Sequence, residues 1–493
     1  MEFEPVIGLE VHAELQTRSK MFCTCAVVDS TAAAPNTAVC PVCAGMPGTL
    51  PVVNQMAVEY AIKVALALQC EVQQTSIFAR KNYFYPDLPK GYQISQYESP
   101  LAVNGKLTIR TAAGEQVIRV RRVHLEEDTG KLTHIDGDGK GRSLVDLNRA
   151  GVPLLEVVSE PDIHSAEAAR LYGEALRDIL RYLQVNSGDM EKGVIRFEAN
   201  ISVRPRTVPG NEPAPLGTRT EVKNLNSFRS LERSILYEIE RQSQILESGG
   251  VVQQETLGWS DARGQTYSQR SKEEAHDYRY FPEPDLPPLV VEPGWVKRVA
   301  AGLPELPYAK YQRFMQQYGL NSYNAWRLTE DRALADYFER AAGAPANPPA
   351  QGVANMILGD FMALMNQSSA DGGSAEPYRS TRVPPESLAE LVRIISDGQI
   401  NLSSARQVLA EMYSSGASAS SIVESRGLKQ VSDLSDISRL VADTLEENPR
   451  EVASYRAGKT AVSNFLFGQV MKRAAGKANP QVVRAELERQ LSQ

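Results

Sequence analysis

Residues Val6–Leu15 read V-I-G-L-E-V-H-A-E-L. Apolar Ile7, Leu9, Val11, Ala13 and Leu15 alternate with Glu10, His12 and Glu14, the period of a strand that buries one face only. A wet strand face ordinarily mixes Thr, Ser, Lys and Glu. Here two carboxylates flank an imidazole at two-residue spacing, a donor set that suits Mg²⁺ or a transition ion. Taken alone, such a pattern more often describes a solvated polar face. The segments that follow bear on the choice.

Val194–Arg204 repeats the device: Ile195, Phe197, Ala199, Ile201 and Val203 point one way, and Arg196, Glu198, Asn200, Ser202 and Arg204 the other. Leu154–Glu160 aligns Glu156 with Glu160, and Thr218–Asn224 aligns Glu221 with Lys223. At His124–Asp128 (H-L-E-E-D) the basic strand R-V-R-R-V runs into three consecutive acids. Like charges so placed are costly unless a cation meets them, which favours metal binding. Between these strands Ser165 caps a helix burying Tyr172, Leu176, Ile179, Leu180 and Leu183. Ser227 caps another burying Phe228, Leu231, Ile235 and Ile239.

The chain has 493 residues, which predicts about three domains. No run of 18 apolar residues occurs and the N-terminus is acidic, so a soluble, cytoplasmic protein is expected. A net charge of −7 argues against indiscriminate nucleic-acid binding but not against a local basic patch. Cys23 and Cys25 (C-T-C) precede Cys40 and Cys43 (C-P-V-C), a spacing that favours structural Zn²⁺ over disulfides, with unliganded thiols the alternative. Cys70, in A-L-A-L-Q-C, reads as core.

Past Tyr280, F-P-E-P-D-L-P-P-L predicts an extended segment closing a domain. From about Val296 the pattern is helical, broken at Ala344–Pro349 and Ser368–Ser374. The last module carries Val462–Ala475 with Val462, Phe465, Leu466 and Val470 on one face. Gly476 is a candidate C-cap, and Asn479-Pro480 opens a further helix. Lys459, Lys472, Arg473 and Lys477 make this end basic, either a solvated face or an RNA-backbone contact.

Several long blocks together resemble the B subunits of the aspartyl/glutamyl-tRNA amidotransferases, the GatB family: V-I-G-L-E-V-H, C-P-V-C-A-G-M-P-G-T-L-P, R-K-N-Y-F-Y-P-D-L-P-K-G-Y-Q-I-S-Q, H-L-E-E-D-T-G-K, D-L-N-R-A-G-V-P-L-L-E-V-V-S-E-P-D, E-V-K-N-L-N-S and H-D-Y-R-Y-F-P-E-P-D. The terminal G-Q-V-M-K and G-K-A-N-P-Q extend the resemblance over essentially the whole chain. The related archaeal protein carries an inserted synthetase-like domain, for which this chain has no room. The resemblance implies an α+β chain in three parts: a strand-rich cradle with a kinase-like site (1–295), a helical domain (296–410) and a small all-α YqeY-like tail that holds tRNA (411–493).

It also implies an ATP-dependent ligase that phosphorylates the side chain of Glu-tRNA(Gln) and/or Asp-tRNA(Asn). Ammonia from a partner glutaminase, the A subunit, then displaces the phosphate within a heterotrimer completed by a small C subunit. Carried over by position, Glu10, His12, Glu127, Glu156 and Glu198 are expected to hold Mg²⁺. Many relatives have C-D-A-N where this chain has F-E-A-N, a departure whose extra methylene at Glu198 shifts the ion or makes the contact indirect. Lys81 and Lys90, in K-N-Y-F-Y-P-D-L-P-K, are expected to line an ammonia passage, a surface turn being the alternative; Lys90 joins Glu10, His12, Glu127 and Glu156 as a catalytic candidate. Glu221, Lys223, Asn226 and Arg279 are nucleotide- or acceptor-end candidates, Arg279 beside His276 and Asp277 for bidentate phosphate contact, with structural ion pairing as the alternative. The amidase Ser-Ser-Lys signature is absent, so the chain is not expected to use glutamine by itself. A noncatalytic tRNA scaffold and an unrelated Mg²⁺ phosphohydrolase are the competing readings. The acidic strand faces count against the first and the basic tail against the second.

Overall fold

The computed structural model describes residues 2–135, 142–206, 214–271, 278–370, 378, 381–429, 434–474 and 478–492. His276, Asp277, Gly476 and Lys477 lie outside them.

The opening alternation forms β1 (Phe3–Glu14), with Ile7, Leu9, Val11 and Ala13 fully buried. It sits in the middle of a nine-stranded sheet with β2 (Glu71–Val72), β3 (Ala102–Thr111), β4 (Gly114–Glu127), β5 (Pro153–Ser159), β6 (Ile195–Pro205), β7 (Thr220–Leu225), β8 (Glu255–Ser260) and β9 (Gln265–Ser271). The spatial order is β9-β8-β7-β6-β1-β5-β4-β3-β2. All neighbouring pairs are antiparallel except β7 and β8, which run parallel because a helix connects them.

Helices α1 (Gln55–Ala67), α2 (Ala166–Tyr182) and α3 (Phe228–Glu247) join the apolar side chains of the sheet in one core. As the sequence predicts, Ser165 and Ser227 accept hydrogen bonds from the backbone N–H groups of Ala168 and Ser230, capping α2 and α3. Cys70 is core, and the chain passes so close at Gly105 that a Cβ there would stand 2.2 Å from its Sγ. In the proline-rich segment Phe281–Pro282 pairs with the strand Ala79–Asn82 and Leu289–Val290 with Thr75–Ser76, short edge pairings that tolerate the missing N–H donors.

The first compact unit runs Met1–Leu306, and the expected cradle limit is 295. That position falls inside the helix Pro293–Ala301, whose Val299 is buried in the cradle core with Trp295 and Val296 packed against it, and the compact unit extends to Leu306. The second unit, Pro307–Gln493, is helical and has two separate cores. The expected boundary at 410 cuts the helix Leu402–Ser415, whose Ala405, Val408, Leu409 and Met412 share a core with Ile422 and Val423. The third core spans Ile437 to Leu491. Its helix Val462–Arg473 buries Leu466 and Val470 but leaves Phe465 48% exposed, so the expected stripe is narrower. Asn479 caps the last helix as read. No helix among the described residues is long and apolar enough to cross a membrane.

Candidate active site and metal centre

The cleft face of the sheet is organised by register. His124 of β4 faces Glu156 of β5, Glu156 faces His12 of β1, and His12 faces Arg196 of β6. One pleat away, Arg122, Val158, Glu10 and Glu198 form the next row across the same four strands. Residues as far apart in sequence as Glu10 and Glu198 thereby meet side by side, because facing residues share a face of the sheet.

Two candidate cation sites result. His12, Glu126 and Glu156 bring one ligand atom each to within 4.8 Å of one another, and so do Glu10, Glu198 and Glu221. His12 Nε2 stands 3.3 Å from Glu156 Oε2 and 3.9 Å from Glu126 Oε1. The donors are hard oxygens with one imidazole, carried on buried strands with a fixed backbone, so the residues fit Mg²⁺ or Mn²⁺. The cleft above them measures about 290 Å³, and a larger one of about 760 Å³ shares His12, Lys81, Glu126, Glu198, Lys223 and Tyr278 with it.

The acids of the cleft are only partly relieved. Burial, followed by the carboxylates of Glu156, Glu198 and Glu221, pushes Glu10 up to about 7; Asn200 Nδ2 donates to it at 3.0 Å. Burial opposes the His12 cation, yet its hydrogen bond to Glu156 and the surrounding acids raise it to about 9. Burial also opposes the Glu156 anion, but His124 and His12 hold it well below the ordinary range. Glu198 is held down against burial by Lys223, 3.2 Å away, while burial raises Glu221. A cluster of this kind attracts further positive charge.

Glu127 does not join the cluster. The strand carries an extra residue at Arg121, where Ser159 and Val158 of β5 pair with Val120 and Arg122. Beyond the bulge Val123, Leu125 and Glu127 share the face turned from the cleft, and Arg122, His124 and Glu126 the cleft face. Glu127 instead accepts hydrogen bonds from Lys90 Nζ and, at 3.0 Å, from the Ile94 N–H. The position that meets His12 and Glu156 is Glu126, buried and bonded to Ser95 Oγ at 3.0 Å. Sequence reasoning missed Glu126, His124 and Arg122. Counting the alternation from Val123 and Leu125 would have found them.

Other candidates separate. Lys223 is paired with Glu198 and, at 3.4 Å, with Glu221, and Asn226 lines the larger cleft. Arg279 is exposed at φ +45°, and neither cleft counts it among its lining residues. Glu160 lies beyond the end of β5 and pairs with Arg121 at 2.8 Å rather than joining Glu156. Lys81 belongs to the strand Ala79–Asn82 and lies in the cleft, its Nζ 4.8 Å from the Tyr278 ring centre. Lys90 is on the other side of the sheet wall, beside the cysteines: at Gly45 (φ +68°) a Cβ would stand 2.8 Å from Lys90 Cγ.

Cys23, Cys25, Cys40 and Cys43 bring their sulfurs within 4.8 Å of one another, with Cys43 Sγ 3.8 Å from Cys40 Sγ and 4.0 Å from Cys25 Sγ. Tetrahedral zinc with bonds of about 2.3 Å needs sulfurs roughly 3.8 Å apart, so the four thiols fit Zn²⁺. All five cysteines are free of disulfides. Fully buried Lys20 has its Nζ 3.6 Å from Cys43 Sγ, a cation suited to a tetrathiolate.

Residues 5–297 match the GatB/GatE catalytic domain and residues 336–491 the GatB domain. The chain belongs to the GatB family. It is 52% identical over 491 residues to the aspartyl/glutamyl-tRNA(Asn/Gln) amidotransferase B subunit of Moorella thermoacetica, covering 100% of both chains. The B subunit of Myxococcus xanthus is 49% identical over 490 residues, with 99% of each chain covered. That of Persephonella marina is 49% identical over 484 residues, with 98% of each covered. The GatB catalytic match contains every member of both carboxylate clusters and all four knuckle cysteines.

Proposed function

We propose that the chain is the B subunit of a glutamine-dependent amidotransferase and uses ATP to activate the side-chain carboxylate of Glu-tRNA(Gln) and/or Asp-tRNA(Asn). The observation that carries the reading is the union, on one sheet face of a GatB catalytic domain, of two carboxylate clusters with cation-ligating geometry. A tRNA clamp gains nothing from such clusters, which favours catalysis over a scaffold role. In the reaction an aminoacyl carboxylate oxygen bonds to the γ-phosphorus as the bond to the β,γ-bridging oxygen breaks, and ADP leaves with the electron pair. Ammonia then attacks the acyl carbon, phosphate departs, and the proton lost by nitrogen goes to phosphate.

Mg²⁺, when bound, would supply positive charge that offsets the triphosphate's negative charge. His12, Glu126 and Glu156 would hold one ion and Glu10, Glu198 and Glu221 a second, which would make the cleft kinase-like in its chemistry. Lys81, with Tyr278 against it, lines the path of ammonia, supplied by an amidase A subunit in a complex with a small C subunit. The four cysteines hold zinc and shape the wall that carries Lys90. The terminal helical module grips tRNA in the cytoplasm.

The test is ATP cleavage and amide formation by the chain assembled with its partners. ATP cleavage stimulated by misacylated tRNA, and lost in Glu156→Gln, is the expected result. Cleavage indifferent to tRNA charging would sink the reading.

A further inference from the structure

Arg122 stands on the cleft face of β4 with its guanidinium carbon 5.3 Å from the centre of the Tyr97 ring, and Tyr97 stacks on Tyr280 at 4.2 Å and 9°. In a cleft so rich in carboxylates an arginine ordinarily closes an ion pair. Arg121 does so with Glu160, and Arg196 with Asp128 at 2.9 Å. Arg122 makes no ion pair among the described residues, and its buried Nε finds no acceptor there. The register supplies the reason. Arg122 and Glu10 stand at one level with Val158 between them, two strand spacings or roughly 10 Å apart along the row. The stacked rings hold the guanidinium in the cleft wall, so its charge remains available to an incoming anion.

We propose that Arg122 is a catalytic residue that binds the phosphoryl group in transit between ATP and the aminoacyl carboxylate, a role that rests on the ATP-dependent reading above. As the carboxylate oxygen bonds to the γ-phosphorus and the bridging P–O bond breaks toward ADP, negative charge spreads over the three equatorial oxygens. A planar guanidinium offers paired N–H donors to two of these at once, where a lysine would offer a point charge. The carboxylate clusters would hold cations in the same cleft, and Arg122 would meet the group from its place on β4 against Tyr97. Its fixed position on Tyr97 means that little side-chain entropy is lost when the anion arrives.

The test uses the full complex. Arg122→Met keeps an apolar stem against Tyr97 and removes every donor, while Arg122→Lys keeps the charge alone. Arg122→Met is expected to lower kcat for tRNA-dependent ATP cleavage by about 100- to 1000-fold. Its affinity for the non-hydrolysable triphosphate AMPPNP should fall about tenfold or more, while ADP affinity and Mn²⁺ binding, followed by electron paramagnetic resonance, stay within about twofold. Arg122→Lys should recover less than about a tenth of the lost rate. A kcat within about threefold of wild type for Arg122→Met overturns the proposal, and so does a parallel loss of ADP and Mn²⁺ binding, which would make the residue a support of the cleft. Glu156→Gln, run beside it, tests the underlying reading alone: if it also keeps full tRNA-dependent cleavage, the ATP-site reading fails and the proposal with it.

Discussion

Glu156 and His12 are register partners on adjacent antiparallel strands, and their Oε2 and Nε2 stand 3.3 Å apart. His124 approaches the same oxygen from the next strand at the same distance. A buried carboxylate between two imidazoles is aimed by the sheet itself, since no rotamer change can move it from the row without leaving an imidazole unpaired. Register thus converts three distant sequence segments into one ligand set.

The Glu10 cluster gives a first prediction. Glu10 makes no ion pair among the described residues and faces three other acids, so its charge opposes folding when no cation is present. Glu10→Gln should raise the metal-free melting temperature by about 2 °C, roughly 1 kcal/mol for a unit of this size. The same variant should shrink the stabilisation given by Mg²⁺ and abolish tRNA-dependent ATP cleavage. Scanning fluorimetry with and without Mg²⁺ checks it; a metal-free melting temperature lowered by several degrees would contradict the argument.

A tetrathiolate site contributes folding energy outright. Cys40→Ser with Cys43→Ser should reduce bound zinc from about one equivalent to below a tenth and lower the cradle's melting temperature. Because Gly45 packs on Lys90, the substitution should also expose the Lys90–Glu127 pair to solvent exchange. Cys70→Ser, in the core, should leave zinc unchanged. Metal analysis of protein prepared without chelators decides; wild type with less than half an equivalent would refute the zinc assignment.

For the tail, the structure moves the cut. Removing residues after Lys429 spares the second core, which ends its buried set at Val423, whereas a cut at 410 would open it. Arg473 already pairs with Asp443 and Glu447, leaving Lys459 and Lys472 as the described members of the basic cluster without ion pairs. Two phosphate contacts predict that tRNA affinity falls and that the log–log salt slope decreases by about 1.5. Anisotropy titrations over a salt series measure both. An unchanged slope would mean that the basic residues are only a solvated surface.

Glu238 of α3 yields a pH dependence. It is fully buried, bonded to Arg241 at 2.8 and 2.9 Å, to Thr220 Oγ1 at 2.9 Å and to Thr266 Oγ1 at 2.6 Å. Burial opposes its charge, but these donors, Arg241 first, lower its pKa below the usual 4.5. A lowered folded pKa contributes stability above the unfolded value and loses it as pH falls, so the cradle should weaken below about pH 4.5. Glu238→Gln should cost about 2 kcal/mol at pH 7 by weakening the charge-assisted bonds to Arg241, which keeps Glu255 at 3.7 Å, with the difference from wild type narrowing in acid. Urea unfolding at pH 7 and pH 4 tests this; a pH-independent difference would be inconsistent with it.

Local chemistry settled what a local signal can settle. The alternation at Val6–Leu15 and Val194–Arg204, the caps at Ser165, Ser227 and Asn479, and the clustering of Cys23, Cys25, Cys40 and Cys43 all follow from short-range periodicity and spacing, and the structure contains each of them. Domain limits were less legible, because the helices Pro293–Ala301 and Leu402–Ser415 take their sides from buried partners that are distant in sequence.

The cleft depended on the same kind of long-range pairing. Counted from Ile118 and Val120 the alternation turns Glu127 to the cleft, and counted from Val123 and Leu125 it turns Glu126 there; the extra residue at Arg121 sets the second frame, because a single insertion in a strand of period two reverses the face of every side chain beyond it. Arg122 lay in a plainly basic stretch, and its unpaired state arises only from the neighbour across the row, Val158, and the ring beneath it, Tyr97. Composition and periodicity determine which residues a face can carry; pairing register, a property of strands far apart in sequence, decides which of them meet.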